Sequence, residues 1–287
     1  MHMNTKKRIA CALLICAAGI GIAGLQCGLT VRRYTVQSGK LAAGKQLRIA
    51  MLSDLHSYVY GNDQSPLLKK VADEQPDLIL LCGDMVDDKK PQQGAQMLLE
   101  HIADIAPCYY VSGNHEFWSE DPEGIFDMVQ SCGIHVLRGT REEITVDSVD
   151  YVICGVDDPA GSGDRRPRSY GNRAAYQRAL EAFSDLPQDN FNILLAHRPE
   201  YIAEYARQPF DLVLSGHAHG GQWRIPYLMN GLIAPNQGWL PKYAGGQYRC
   251  GDMTEIVGRG LVLNWKPRLF NPPEIVVVDI VSQSGEV

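Results

Sequence analysis

The sequence carries no Cys-x-x-Cys pair and no cysteine/histidine spacing of the finger type, which argues against a structural zinc site. Its eight cysteines are scattered instead. Cys11, Cys16 and Cys27 sit in or beside an N-terminal apolar run, and Cys82, Cys108 and Cys154 sit inside apolar runs, where a free thiol behaves as a small hydrophobe. Cys132 and Cys250 remain, and one disulfide stays open. Positive charge is also short: 27 Lys and Arg against 33 Asp and Glu leave a net charge of −6. That balance argues against a general nucleic-acid binder, whose surface meets phosphates with basic groups, while leaving room for a local basic patch. There is no low-complexity run and no internal repeat. What is left is a chain of 287 residues, 45% of them hydrophobic, able to bury a core as one large domain or two small ones.

The N-terminus differs in kind from the rest. Lys6-Lys7-Arg8 precede residues 9–25, an uncharged run rich in Ala, Leu, Ile and Gly that is near the minimum for crossing a bilayer as a helix. Residues 1–33 are therefore expected to form a signal anchor, a single pass through the cell membrane. The basic cluster ahead of the run favours an N-inside orientation and an extracytoplasmic position for the remainder, with Arg32-Arg33 opposing it from the far side. A cleaved signal peptide is the alternative, disfavoured because no clear small-x-small site precedes a mature start. Gln26 directly before Cys27 argues against a lipoprotein cysteine. Residues 34–46 are polar and are expected to be a linker, with the folded domain at 47–287.

Within that domain, Leu47-Arg48-Ile49-Ala50-Met51-Leu52-Ser53 reads as a strand and runs into Asp54-Leu55-His56. Positions two apart in an extended chain project to one side, so Asp54 and His56 can converge on one ion. One hard oxygen and one imidazole suit a borderline cation such as Mn, Fe or Zn. Asp77-Leu78-Ile79-Leu80-Leu81-Cys82 is unbroken, as a buried parallel strand would be, and ends in Gly83-Asp84. Between the two, residues 65–74 place Leu67, Leu68 and Val71 at helical spacing. Residues 93–105 do the same with Met97, Leu98, Ile102 and Ile105, and lead to Pro107-Cys108-Tyr109-Tyr110-Val111 and then Gly113-Asn114-His115-Glu116. Asn114 can offer a neutral oxygen to a metal, and His115 can donate a proton near neutral pH. Two further runs end alike, Asn192 to Ala196 in His197, and Asp211 to Ser215 in Gly216-His217-Ala218-His219. Any one ending could be a polar turn or a capping Asp. Five together point to one crevice, because ligands gather at the carboxyl ends of strands in open α/β sheets, and to a metal-assisted hydrolase.

The ordered series Asp54-x-His56, Gly83-Asp84, Gly113-Asn114-His115-Glu116, His197 and Gly216-His217-x-His219 resembles the calcineurin-like metallophosphoesterase family over about residues 48–222. Gly220-Gly221-Gln222 and Gly155-Val156-Asp157-Asp158-Pro159 further resemble its membrane-anchored bacterial branch, which includes cell-envelope phosphoesterases and relatives acting on a UDP-diacylglucosamine. The resemblance implies an α/β fold, a four-layer α/β/β/α sandwich, here with an N-terminal membrane helix. It implies two divalent metal ions (Mn, Zn or Fe) at one edge: Asp54, His56 and His219 on the first, Asn114, His197 and His217 on the second, and Asp84 between them. Two such cations can lower the pKa of a shared water and neutralise phosphoryl oxygens, and a carboxylate can face both. His115 is implied as the catalytic acid outside the ligand set. Glu116 stands where the family often has Asp, and is expected to orient a histidine. The His-x-His-x-Asp-His cluster of β-lactamase-type zinc hydrolases is absent.

The remaining segments suit the second half of such a sandwich. Residues 134–137, 143–146, 151–156, 261–263 and 275–280 read as strands, and 173–183 as a helix. His101 and His135 are expected to be structural or surface residues. Two loops could face substrate: residues 161–173 with Arg165, Arg166, Arg168 and Arg173, and residues 223–247 with Trp223, Arg224, Trp239, Lys242, Tyr243 and Gly245-Gly246. Cationic groups there could meet phosphate, and aromatic faces a sugar, base or lipid chain; a solvated charged loop is the other reading of the first. The function expected is that of a membrane-tethered phosphoesterase acting on a phosphodiester or pyrophosphate bond of an envelope lipid or glycopolymer precursor. The alternatives are an enzyme of soluble nucleotides or phosphomonoesters, and a catalytically silent metal-binding scaffold. No nucleic-acid partner is expected.

Overall fold

A computed structural model describes residues 28–162, 171–263 and 267–283, together with Gly19, Gly21, Ile22, Gly24 and Leu25. Most of the run expected to form a membrane helix, and Arg165, Arg166 and Arg168, lie outside the described residues. Among the described residues no helix is long and apolar enough to cross a membrane.

In chain order the strands are β1 (Thr30–Ser38), β2 (Gln46–Leu52), β3 (Leu78–Cys82), β4 (Cys108–Val111), β5 (His135–Val136), β6 (Thr140–Val146), β7 (Val149–Gly155), β8 (Phe191–Leu195), β9 (Leu212–Ser215), β10 (Ile233–Ala234), β11 (Gly238–Trp239), β12 (Gly246–Cys250), β13 (Met253–Val257) and β14 (Glu274–Ser282). The helices are α1 (Ser65–Ala72), α2 (Gln93–Ile102), α3 (Asn114–Trp118), α4 (Pro122–Ser131), α5 (Arg173–Glu181) and α6 (Ile202–Tyr205). Local chemistry sets several helix starts. Asp121 accepts from Gly124 N at 3.0 Å ahead of α4, and Asn172 accepts from Ala175 N at 3.1 Å ahead of α5.

Two six-stranded sheets form, in the orders β1-β14-β2-β3-β4-β5 and β12-β13-β9-β8-β7-β6. The alternation of side chains along each strand divides the core into layers. Ile49, Met51, Leu80 and Tyr109 meet Tyr151, Ile153, Ile193 and Leu214 between the sheets. Ala50, Leu52, Ile79, Leu81 and Tyr110 face the other way, against Leu67, Leu98, Ile102 and Phe126 of α1, α2 and α4. On the far side Val152, Leu194 and Val213 pack on Tyr176, Leu180, Ile202 and Tyr205 of α5 and α6. The result is a mixed α/β sandwich, with helices outside two stacked sheets. Strands buried on both faces explain why the runs read as continuously apolar.

Two expectations need correction. The supposed linker at 34–46 contributes an edge strand: β1 pairs in parallel with β14 from Thr30↔Glu274 to Ser38↔Ser282. Its residues read as polar because an edge strand buries few side chains; Val36 and Ser38 turn inward while Arg32, Arg33, Thr35 and Gln37 stay in solvent. Residues 261–263 are not a strand. Leu261 N and Val262 N instead donate to the carbonyls of Ser53 and Asp54 at 3.0 and 2.8 Å, bracing the end of β2. On the side of β9 away from β8 the partner is β13, whose buried Glu255 breaks the apolar pattern that would have marked it.

Candidate metal centre

The neighbours β2, β3 and β4 run parallel, as do β7, β8, β9 and β13. Parallel strands deliver their carboxyl ends to one edge. Backbone bonds then knit the loops together: Asp54 N donates to Gly83 O at 3.0 Å, and His56 N to Asp84 O at 2.9 Å. The loops are tight enough that Asp54, His56, Asp84, His217 and His219 all have positive φ, between 47° and 64°. Such conformations cost roughly 1–3 kcal/mol each for residues with a side chain and persist where the surroundings hold them. Two glycines are required by close approach. A Cβ on Gly113 would lie 2.2 Å from Asp84 Oδ1, and one on Gly216 would lie 2.5 Å from Asp54 Oδ2.

Four sets of ligand atoms gather here among the described residues, each within 4.8 Å: Asp54 with His56 and His219; Asp84 with His197 and His217; His56 with Asp84 and His115; and Asp87 with Asp88 and His115. One oxygen, Asp84 Oδ2, lies 3.7 Å from His56 Nε2 and 3.1 Å from His197 Nε2, so Asp84 stands between the first two sets. His219 Nε2 lies 3.4 Å from His56 Nε2 and 3.6 Å from Asp54 Oδ1. Asn114 opens α3 beside them, buried, and its Oδ1 has no hydrogen-bond partner among the described residues. All seven positions expected to hold metal are thereby brought to one edge.

Outer contacts fix which nitrogens face inward. His197 Nδ1 donates to Cys82 O at 2.8 Å, and His217 Nε2 donates to Asn236 Oδ1 at 2.9 Å. That leaves His197 Nε2 and His217 Nδ1 facing each other at 3.2 Å, with Asp84 Oδ2 at 3.1 Å from the former. Three acceptors so placed need a positive charge between them, a proton or a cation. Burial would raise the Asp84 carboxyl, but His197 and then His115 outweigh it and hold it well below the usual carboxylate range. Burial lowers His197, yet Asp84 lifts it to about 10. Burial, helped by Arg198 for His217 and by His56 for His219, pushes those two well below the imidazole value, leaving neutral rings suited to ligation. Hard oxygens mixed with imidazoles fit a borderline divalent cation.

His115 lies at the rim, its side chain 22% exposed, and its Nδ1 is 2.7 Å from Asp88 Oδ1. Its ring meets that of His56 edge-on at 4.4 Å. Glu116 does not orient a histidine as expected. Its Oε2 accepts from Asp84 N at 3.0 Å and Gly113 N at 2.8 Å, and its Oε1 from Val86 N at 3.0 Å, so it ties the second motif to the third. Burial, then Asp84, raises it to about 7. Sequence reasoning missed three contributors. Asp87 and Asp88 were visible as acids following Gly83-Asp84, and Asp87 Oδ2 sits 3.5 Å from His56 Nδ1. Asn236 gave no local signal, since it comes from the loop beyond the last histidine. Of the two loops expected to face substrate, Arg173 is paired with Glu204. His135 and His101 are surface residues, beside Glu142 and Asp104.

Residues 47–221 match the family model of the calcineurin-like phosphoesterases. The chain is 33% identical over 259 residues to an uncharacterized metallophosphoesterase of Aquifex aeolicus, covering 88% of this chain and 92% of that one. It is 29% identical over 241 residues to phosphodiesterase YaeI of Escherichia coli, covering 82% of each. It is 30% identical over 222 residues to a Danio rerio transmembrane protein with metallophosphoesterase domain, covering 73% of this chain and 47% of that one. In fold it is similar to the NAD nucleotidase of Haemophilus influenzae, with a TM-score of 0.51 at 18% identity over 76% of this chain and 46% of that one. The chain belongs to the calcineurin-like phosphoesterase family and is a hydrolase of phosphoric ester bonds.

Proposed function

We propose that this enzyme is a binuclear, membrane-tethered phosphoesterase that cleaves a phosphodiester or pyrophosphate bond in an envelope lipid or glycopolymer precursor. The observation that carries the reading is the convergence of acceptors around Asp84 Oδ2, with His197 Nε2 at 3.1 Å and His56 Nε2 at 3.7 Å. Asp54, His56 and His219 would hold one cation, Asn114, His197 and His217 the other, and Asp84 would touch both. Bound there, the cations would supply Lewis acidity, lowering the pKa of an attacking water and neutralising phosphoryl oxygens.

The chain's own residues do the rest. Asp88 takes Nδ1 of His115 and fixes the ring, which leaves Nε2 to hold the proton that the leaving oxygen needs. Glu116 holds the backbone of both motifs, and so places Asp84 relative to Asn114. Support for a diester comes from the likeness to a protein named phosphodiesterase. Support for tethering comes from the apolar run at 9–25 and the likeness to a protein named as transmembrane. The test is to strip the full chain of metal, reload it with Mn, Zn or Fe, and assay a model phosphodiester, a phosphomonoester and a UDP-linked lipid side by side. Turnover restored by metal and strongest on the lipid is expected. Preference for a small soluble ester would overturn the lipid assignment.

A further inference from the structure

Among the described residues, the large hydrophobic side chains left exposed lie in two stretches, Ile22 and Leu25 near the N-terminus and a set within residues 223–240. In the second, Tyr227 is fully exposed, and Leu228, Trp239 and Leu240 are 84%, 71% and 67% exposed. Loose structure is not the cause. Trp223 Nε1 donates to Pro267 O at 2.8 Å, Leu240 N to Leu232 O at 2.8 Å, and β10 pairs with β11. Gln237 bonds Tyr243 in both directions at 2.9 Å. A braced turn at residues 225–229, where Met229 N donates to Ile225 O at 2.8 Å, and the β10–β11 hairpin therefore hold apolar tips in solvent, an arrangement that marks an interaction surface.

Two further facts select the partner. The stretches are joined through one segment: Arg224 N donates to Leu269 O at 2.9 Å and Phe270 N to Gly24 O at 2.7 Å, so the base of the second stretch is tied to the end of the apolar N-terminal run. The charge is also one-sided. In a chain of net charge −6, no Asp or Glu occurs between Asp211 and Asp252, while Arg224, Lys242 and Arg249 do. Arg224 is half-buried, whereas Lys242 and Arg249 are exposed, so the apolar tips sit in a stretch that carries exposed basic groups and no carboxylate of its own, which suits the interface of an anionic bilayer.

We propose that residues 223–240 are an interfacial flap that docks on an anionic lipid bilayer, with Tyr227, Leu228, Trp239 and Leu240 entering the headgroup region. The turn between β10 and β11 also carries Asn236 to His217, so the docked face lies one turn from the metal centre. In its consequence for substrate the inference rests on the lipid reading above; docking itself does not.

The test places the full chain in vesicles of phosphatidylcholine and phosphatidylglycerol with brominated acyl chains, which quench tryptophans that enter the bilayer. Wild type is expected to be quenched, and Trp239→Phe to lose most of that quenching. Leu228→Glu combined with Leu240→Glu should keep Trp239 and the melting temperature yet lose the quenching. Quenching unchanged in Trp239→Phe, or undiminished in the double variant, would overturn the proposal, as would a vesicle-free dimer that buries Trp239. Quenching is read without turnover, so quenching with no turnover of the lipid in the metal-reloading assay would sink the lipid reading alone, and turnover of the lipid without quenching would sink the flap alone.

Discussion

Asn236 Oδ1 accepts the Nε2 proton of His217 at 2.9 Å, across a loop that otherwise points to solvent. The contact fixes the tautomer and so aims Nδ1 at His197. Outer partners of this kind are typically worth 10–100-fold in metal affinity. Asn236→Ala is therefore expected to weaken one metal by about that factor, read as a shift in the metal titration of the stripped protein. Asn236→Asp keeps the acceptor and should restore binding. Equal loss in both variants would show that the contact does not position His217.

His115 and Asp84 should separate by readout. His115→Ala removes the proton donor but no ligand, so turnover should fall by about 10²–10⁴-fold with metal content intact. Asp88→Asn leaves the ring in place but less firmly held, and should cost less than His115→Ala. Asp84→Asn should lose metal, since one of its oxygens faces both His56 and His197. Metal content measured beside turnover decides; an emptied site in His115→Ala would make that residue a ligand.

Glu116 gathers three backbone donors from two motifs, so Glu116→Gln should act on stability before chemistry. An amide can accept at one end only, which leaves at least one buried N–H facing an NH2 group. The loss should be about 1–3 kcal/mol, read from denaturant unfolding. An unchanged midpoint would mean the loops hold without that carboxylate.

The parallel strands and their polar endings were legible because a strand buried on both faces leaves an unbroken apolar run, and a buried Asp or His at its end needs a reason. Leu78–Cys82 followed by Asp84 is such a case. β1 and β13 were not legible for opposite reasons. The first is an edge strand whose outward Thr35 and Gln37 mimic a linker and whose Arg32 and Arg33 fall in the expected anchor segment, and the second hides a charged residue inside the core. Within the site, the ligand types could be read from motif order. Asn236 and the three-way grip of Glu116 could not, because both depend on which loops the fold brings together.

The hidden residue of β13 yields a pH prediction. Glu255 is fully buried, accepts from Ser215 Oγ at 2.8 Å, and has no partner on its other oxygen among the described residues. Burial, with Glu200 adding repulsion against the Ser215 bond, raises its carboxyl well above the usual range. A carboxyl raised in the folded state binds its proton more tightly there than in the unfolded chain. As pH climbs above the unfolded value, the unfolded state ionises first and is favoured, so this group subtracts stability with rising pH. Glu255→Gln keeps the shape and the acceptor for Ser215 but cannot ionise. It should therefore melt higher than wild type at neutral and alkaline pH, with the gap closing below about pH 4, where the unfolded carboxyl is protonated too. Scanning calorimetry across that range would show it. A variant that melts lower at every pH would mean that Glu255 is held as a carboxylate by its surroundings.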